Sequence, residues 1–141
     1  MKKLPTALSV ISIAAAPAAA QNGKAAVKDK FSIYFDKDST ALTPSAKSLI
    51  KSIVKKFPVA SNHAYYIQGH TDRRLSKDQS LLQSAKTAGA VYRYFSSLDI
   101  SDNSLATMAL GESSPAKATL DGISEPLNRR VEIKVYYIPP K

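Results

Sequence analysis

The sequence contains no cysteine. Disulfides, thiol nucleophiles, zinc–thiolate sites and a lipid carried on an N-terminal cysteine are therefore not expected. Glycine is scarce, at five residues, and no Walker loop, dinucleotide fingerprint or Gly-x-Ser-x-Gly elbow occurs. His63 and His70 are the only histidines, and neither sits in a His-Glu-x-x-His arrangement. No metal, no cofactor and no catalytic constellation is expected. Acids are also short: 11 Asp and Glu face 20 Lys and Arg, a formal charge of +9 over 141 residues. That length suits one compact domain, and 44% hydrophobic with 22% charged residues argues against wholesale disorder. The basic excess needs an explanation.

Part of it lies in an address segment. Met1-Lys2-Lys3 is a positive start, Leu4 to Ala16 is apolar, and Ala18-Ala19-Ala20 offers small residues before Gln21. These are the three parts of a secretory signal, so residues 1–20 are expected to be removed on export. The run is too short to span a bilayer, and no long apolar stretch follows, so no transmembrane segment is expected in the mature chain. Removal takes two lysines and no acid, leaving +7 over 121 residues. Residues 21–30 are small and polar and read as a tether.

The folded body is expected over residues 31–138. Phe31 to Phe35 alternates as a half-buried strand, and Asp36-Lys37-Asp38-Ser39 breaks it. Two acids in such a loop read as caps or turn formers rather than an acid–base pair. Thr43 before Pro44 is a helix start, and Ala46, Leu49, Ile50, Ile53, Val54 and Phe57 follow at helical spacing up to Pro58. Lys47, Lys51 and Lys55 step along another face of that helix, read as solvated. Ala64 to Gln68 is a second strand running into Gly69-His70-Thr71-Asp72, which places Asp72 at a sheet edge where loops gather. A polar stretch from Arg73 to Ser80 precedes a second helix, marked by Leu81, Leu82, Ala85, Ala88, Val91, Tyr92 and Phe95. Ser104 to Leu110 is a third strand, and a loop runs from Gly111 to about Asn128. Arg130 to Tyr137 is the last strand, and the adjacent Arg129 and Arg130 at its start must point to opposite faces. The order βαβαββ predicts an α+β fold: one mixed four-stranded sheet with both helices on one face.

Four runs carry a family resemblance: Tyr34-Phe35-Asp36-Lys37-Asp38-Ser39 with Leu42-Thr43-Pro44, Gly69-His70-Thr71-Asp72, Leu110 to Pro115, and Asn128 to Ile133. In this order the chain resembles the OmpA-like peptidoglycan-binding domain shared by the C-terminal half of OmpA, the Pal lipoproteins and MotB-type stator proteins. The resemblance implies a non-catalytic, periplasmic module, in a Gram-negative envelope and peripheral to the outer membrane or wall. It would bind the diaminopimelate stem peptide and help anchor the envelope, or an envelope complex, to the wall. Such a ligand needs an acid for its ammonium and a base for its carboxylate. The resemblance puts Asp72 in the acid's place, beside Thr71, with Asp38 and Ser39 from the first loop.

The family's helix arginine is not matched. Aligned without gaps from Asp72, its position falls on Thr87. With one loop residue deleted it falls on Lys86, which also puts Leu82 and Ala85 on the family's apolar and small positions and favours Lys86. Arg73 or Arg74 reaching across from the loop, and Arg129 from the final strand, are the other basic candidates. The missing arginine motivates a second reading, a periplasmic assembly subunit that keeps the fold, has lost the stem peptide and docks on a protein partner. A nucleic-acid binder, stacking bases on Tyr34 and Tyr136, would follow from charge alone, and export argues against it, so no nucleic-acid partner is expected.

Overall fold

A computed structural model of the chain describes residues 17–18 and 25–140. Apart from residues 17–18, the expected signal segment lies outside the described residues. The strands are β1 (Ala26–Tyr34), β2 (His63–His70), β3 (Leu105–Ala109) and β4 (Arg130–Tyr137), and the helices are α1 (Pro44–Lys56) and α2 (Lys77–Ser97). One sheet runs in the order β1-β4-β2-β3. The β1/β4 and β2/β4 pairs are antiparallel, and β2/β3 is parallel. This is the expected mixed sheet in an α+β fold.

Alternation along the strands sorts the two faces. Ile33, Tyr65, Ile67, Val131, Ile133 and Val135 share one face and one core with Ile50 and Ile53 of α1 and Ala88, Val91 and Phe95 of α2. Burying each of the Ile, Val and Phe side chains among them contributes roughly 1.5–3 kcal/mol. Tyr65 stacks on Phe95 at 4.9 Å and donates its hydroxyl to the Phe57 carbonyl at 2.6 Å. Burial pushes its pKa up to about 12, so it stays a donor at any ordinary pH. The opposite face carries Tyr66, Gln68 and His70 of β2 against Lys134, Glu132 and Arg130 of β4.

Two element starts lie well before the sequence reading, and other boundaries move by only one or two residues. β1 begins at Ala26, so residues 26–30 of the expected tether are strand, with Ala26 opposite Tyr137 and Lys30 opposite Lys134. Those residues are mostly exposed. Backbone pairing with the long β4 recruits them, so apolar alternation gave no sign of it. α2 begins at Lys77, inside the expected polar stretch. Ser76 caps the Gln79 N–H and Gln79 reaches back to the Ser76 backbone, a capping box that needs no apolar residue.

Candidate functional site

The C-terminal end of β2 and the loops beside it form the site. Gly69 governs how they meet: a Cβ there would lie 2.1 Å from the Ser84 carbonyl oxygen and 3.1 Å from the Ala88 methyl. Only glycine lets α2 approach β2 this closely. The close approach turns Ser80, Ser84 and Thr87 inward, while Leu81, Leu82 and Ala85 lie on the outside. Ser84 accepts the Gly111 N–H at 2.9 Å, which fixes the start of the long loop on the helix. Thr71 donates its N–H to the Gly111 carbonyl at 2.9 Å. Further along, Asn128 is fully buried. It accepts the Ala116 and Lys117 N–H groups and donates to the Lys117 carbonyl, at 2.8–2.9 Å.

Between the β1–α1 loop and the β2–α2 loop lies a cleft lined by Phe35, Asp36, Asp38, His70, Thr71, Arg74, Gln83, Thr87 and Arg129. Its volume is about 10 Å³, close to the minimum for one water molecule. The first loop is closed by Ser39 N–H to the Asp36 carbonyl, with Asp38 at φ 60°, a conformation aspartate tolerates better than most residues. Asp38 pairs with the guanidinium of Arg74 from the second loop. That ion pair spans two of the cleft's walls. The Nε of Arg74 is buried without a hydrogen-bond partner.

Asp72 lies behind the cleft rather than in it. It is fully buried and accepts the Glu125 N–H at 3.0 Å, the Arg74 N–H at 3.3 Å and the Arg129 Nη1 at 2.9 Å. Burial pushes its pKa up, but the Glu125 N–H, the Arg129 guanidinium and the Arg74 N–H outweigh it, so the carboxyl titrates below its ordinary value. Its charge holds three segments together: the loop before α2, the long loop, and the start of β4.

The expected site residues therefore separate. Thr71, Asp38, Arg74, Thr87 and Arg129 line the cleft. Ser39 contributes its carbonyl to Gln83 at 3.4 Å, and Arg73 turns away to Asp121 and Glu112. Lys86 is exposed on the outer side of α2, whereas Thr87 is buried and faces the cleft. The alignment that favoured Lys86 put Leu82 on the family's apolar position, and Leu82 is 57% exposed. Arg129 and Arg130 do point apart, and both meet carboxylates: Arg129 meets Asp72, and Arg130 meets Glu132 at 2.8 Å on the face away from the helices. Gln83 was missed, because its place in the wall depends on the rotation of α2 that Gly69 sets.

The OmpA family profile matches residues 34–129. The chain is 30% identical over 111 residues to the peptidoglycan-associated lipoprotein of Pseudomonas aeruginosa, covering 79% of this chain and 66% of that protein. The protein of the same name from Rhizobium meliloti is also 30% identical, with 79% and 61% covered. The chain thus spans just under two thirds of the length of these relatives. Among solved structures, the peptidoglycan-associated lipoprotein of Burkholderia pseudomallei superposes with a TM-score of 0.66 at 30% identity, covering 74% of this chain and 88% of that one. The OmpA-like domain of FopA1 from Francisella tularensis shares the fold, with a TM-score of 0.65 at 21% identity and 83% and 77% covered. With its four-stranded mixed sheet, its one-sided helices and the loop-end cleft, the chain belongs to the OmpA family.

Proposed function

We propose that the protein is a non-catalytic peptidoglycan-binding module of the periplasm that helps anchor the envelope to the wall. Its cleft would take the zwitterionic end of a diaminopimelate stem peptide. The observation that carries this reading is the Arg74–Asp38 pair lining the cleft, with the buried Arg74 Nε lacking an acceptor. A ligand carboxylate replaces Asp38 on the guanidinium fork, and the released Asp38 takes the ligand ammonium. This exchange conserves charge, because one internal ion pair becomes two ligand ion pairs. Thr71 and Thr87 line the same walls; the Thr87 hydroxyl donates to the Ser84 carbonyl at 3.1 Å, which leaves its oxygen to accept.

In this reading Arg74 replaces the family's helix arginine from a different backbone position. Asp72 acts indirectly, by holding Arg129 and both loops. Opening must accompany binding, since a space for one water cannot admit a diamino acid. The pair that has to open joins an Asp38 side chain that is 64% exposed to an Arg74 side chain that is 24% exposed, so water can solvate both as they separate.

The test is co-sedimentation with purified sacculi. Arg74→Ala is expected to abolish sedimentation and Lys86→Ala to leave it unchanged. Undiminished sedimentation of the Arg74 variant would refute the assignment. The closed state of the cleft also favours a second reading, an assembly subunit that no longer takes a stem peptide. That reading requires that the unmodified protein fail to sediment and that crosslinking return a reproducible envelope partner.

A further inference from the structure

The basic excess occupies one face of the molecule. α1 carries four lysines and no acid, and α2 carries Lys77, Lys86 and Arg93 against Asp78 alone, so the two helices hold a net +6. Outside the helices, the described chain has nine Lys and Arg against ten Asp and Glu. All seven helix cations are exposed, and among the described residues none forms an ion pair. The contrast with the rest of the chain is complete for arginine: Arg73, Arg74, Arg129 and Arg130 each meet a carboxylate.

We propose that this outer helical face is a docking surface for an anionic lipid headgroup layer. The two helices pack on one side of the sheet and touch, with the Lys47 ammonium 5.9 Å from the Tyr94 ring centre, so their cations form one broad surface. The exposed residues of α1 are lysines, serines and Pro44, with no carboxylate to repel phosphate. Lys47, Lys51 and Lys55 recur at four-residue spacing, a like-charge arrangement that disfavours the helix and meets no carboxylate among the described residues. Six of the seven cations are lysine, whose mobile point charge suits a diffuse layer of phosphates. Four of the five arginines sit in directional pairs at the loop end instead. Leu82, 57% exposed, stands one turn before Lys86 on the same outward stripe, and an apolar side chain among cations fits a headgroup boundary better than a fully hydrated polymer.

None of these seven cations lines the loop-end cleft, so this inference does not depend on wall binding. A bound molecule would hold lipid on its helices and leave the cleft free for a second ligand.

Full-chain protein is sedimented with vesicles of phosphatidylcholine and with vesicles of phosphatidylcholine mixed with phosphatidylglycerol. Binding is expected only to the anionic vesicles, and it should fall as salt is raised. A variant carrying Lys47→Gln, Lys51→Gln and Lys55→Gln should partition roughly a hundredfold more weakly, since each lysine near an anionic surface contributes about a factor of five. A control carrying Lys28→Gln, Lys30→Gln and Lys134→Gln, which loses the same charge from β1 and β4, should bind as the unmodified protein does. All versions share one N-terminus, so differences among them report the face alone, and circular dichroism verifies folding. Equal weakening by the control would reduce the effect to net charge and overturn the proposal. So would failure of the unmodified protein to bind anionic vesicles. Sacculus binding that depends on the three α1 lysines, with no vesicle binding, would assign the face to wall polymer instead.

Discussion

Charge is used in two ways in this protein. At the loop end of the sheet, arginines are matched with acids at fixed geometry, and Asp72 and Asn128 are buried with their polar atoms engaged. On the helical face, exposed lysines form no ion pair among the described residues. A buried matched charge shapes a site but destabilises the fold when its partner is removed. An exposed unmatched charge adds little to stability, so its placement is free to serve association. Substitutions at the loop end should therefore cost stability, and substitutions on the helical face should cost binding alone.

The largest expected effect is at Asp72. Asp72→Ala leaves the Arg129 guanidinium and two N–H groups without their acceptor, and should destabilise by about 3–5 kcal/mol in urea unfolding. A loss below about 1 kcal/mol would mean that the loops hold without it.

Acid should weaken the fold through His70. Burial first, and the adjacent Arg130 second, lower its pKa to about 4. The folded state thus disfavours the protonated ring relative to the unfolded chain, whose histidine titrates near 6.5. Stability contributed by the neutral ring is present above about pH 6.5 and is lost as pH falls towards 4, on the order of 3 kcal/mol. His70→Gln should remove most of the slope of unfolding free energy across that window. A slope unchanged in the variant would place the effect elsewhere.

A smaller cost is expected at Gly69. Gly69→Ala forces α2 away from β2 and should destabilise by roughly 1–3 kcal/mol, with the shift largest around Ser84 and Thr87. Backbone amide chemical shifts map that displacement; shifts confined to residue 69 would show that the helix does not need the close approach. The smallest effect is on the other face. Replacing Lys47, Lys51 and Lys55 by glutamine should change unfolding free energy by no more than about 0.5 kcal/mol, because it relieves i, i+4 repulsion and breaks no ion pair.

The fold was legible in the sequence because its signals were redundant. Thr43-Pro44 caps α1, β2 and β4 are apolar on one face, and the family motifs fall at the strand ends where loops meet. The site was legible only in part. Thr71, Asp38 and Arg129 were named because the motifs place them at that end, and Arg74 because it lies in the loop that follows one of them. Which of Lys86 and Thr87 faces the cleft depended on the rotation of α2, and the apolar pattern of the helix did not show it. Leu81 and Leu82 mimic a core stripe, whereas the buried stripe at that end is Ser80, Ser84 and Thr87. A close helix–strand contact selects small residues, and small polar residues do not register as a hydrophobic period. Gly69 was the available sign, since a glycine inside a strand marks a close approach. The ionic role of Asp72 was hidden for a different reason. Its partners Glu125 and Arg129 come from 53 and 57 residues away, and no local spacing reveals them.

The separation of the two surfaces is tested most directly by measuring sacculus and anionic-vesicle sedimentation in parallel for Arg74→Ala and for the triple α1 lysine variant. The expected pattern is a crossed loss: Arg74→Ala fails on sacculi and binds vesicles, while the lysine variant binds sacculi and fails on vesicles. Loss of both activities in either folded variant would contradict it.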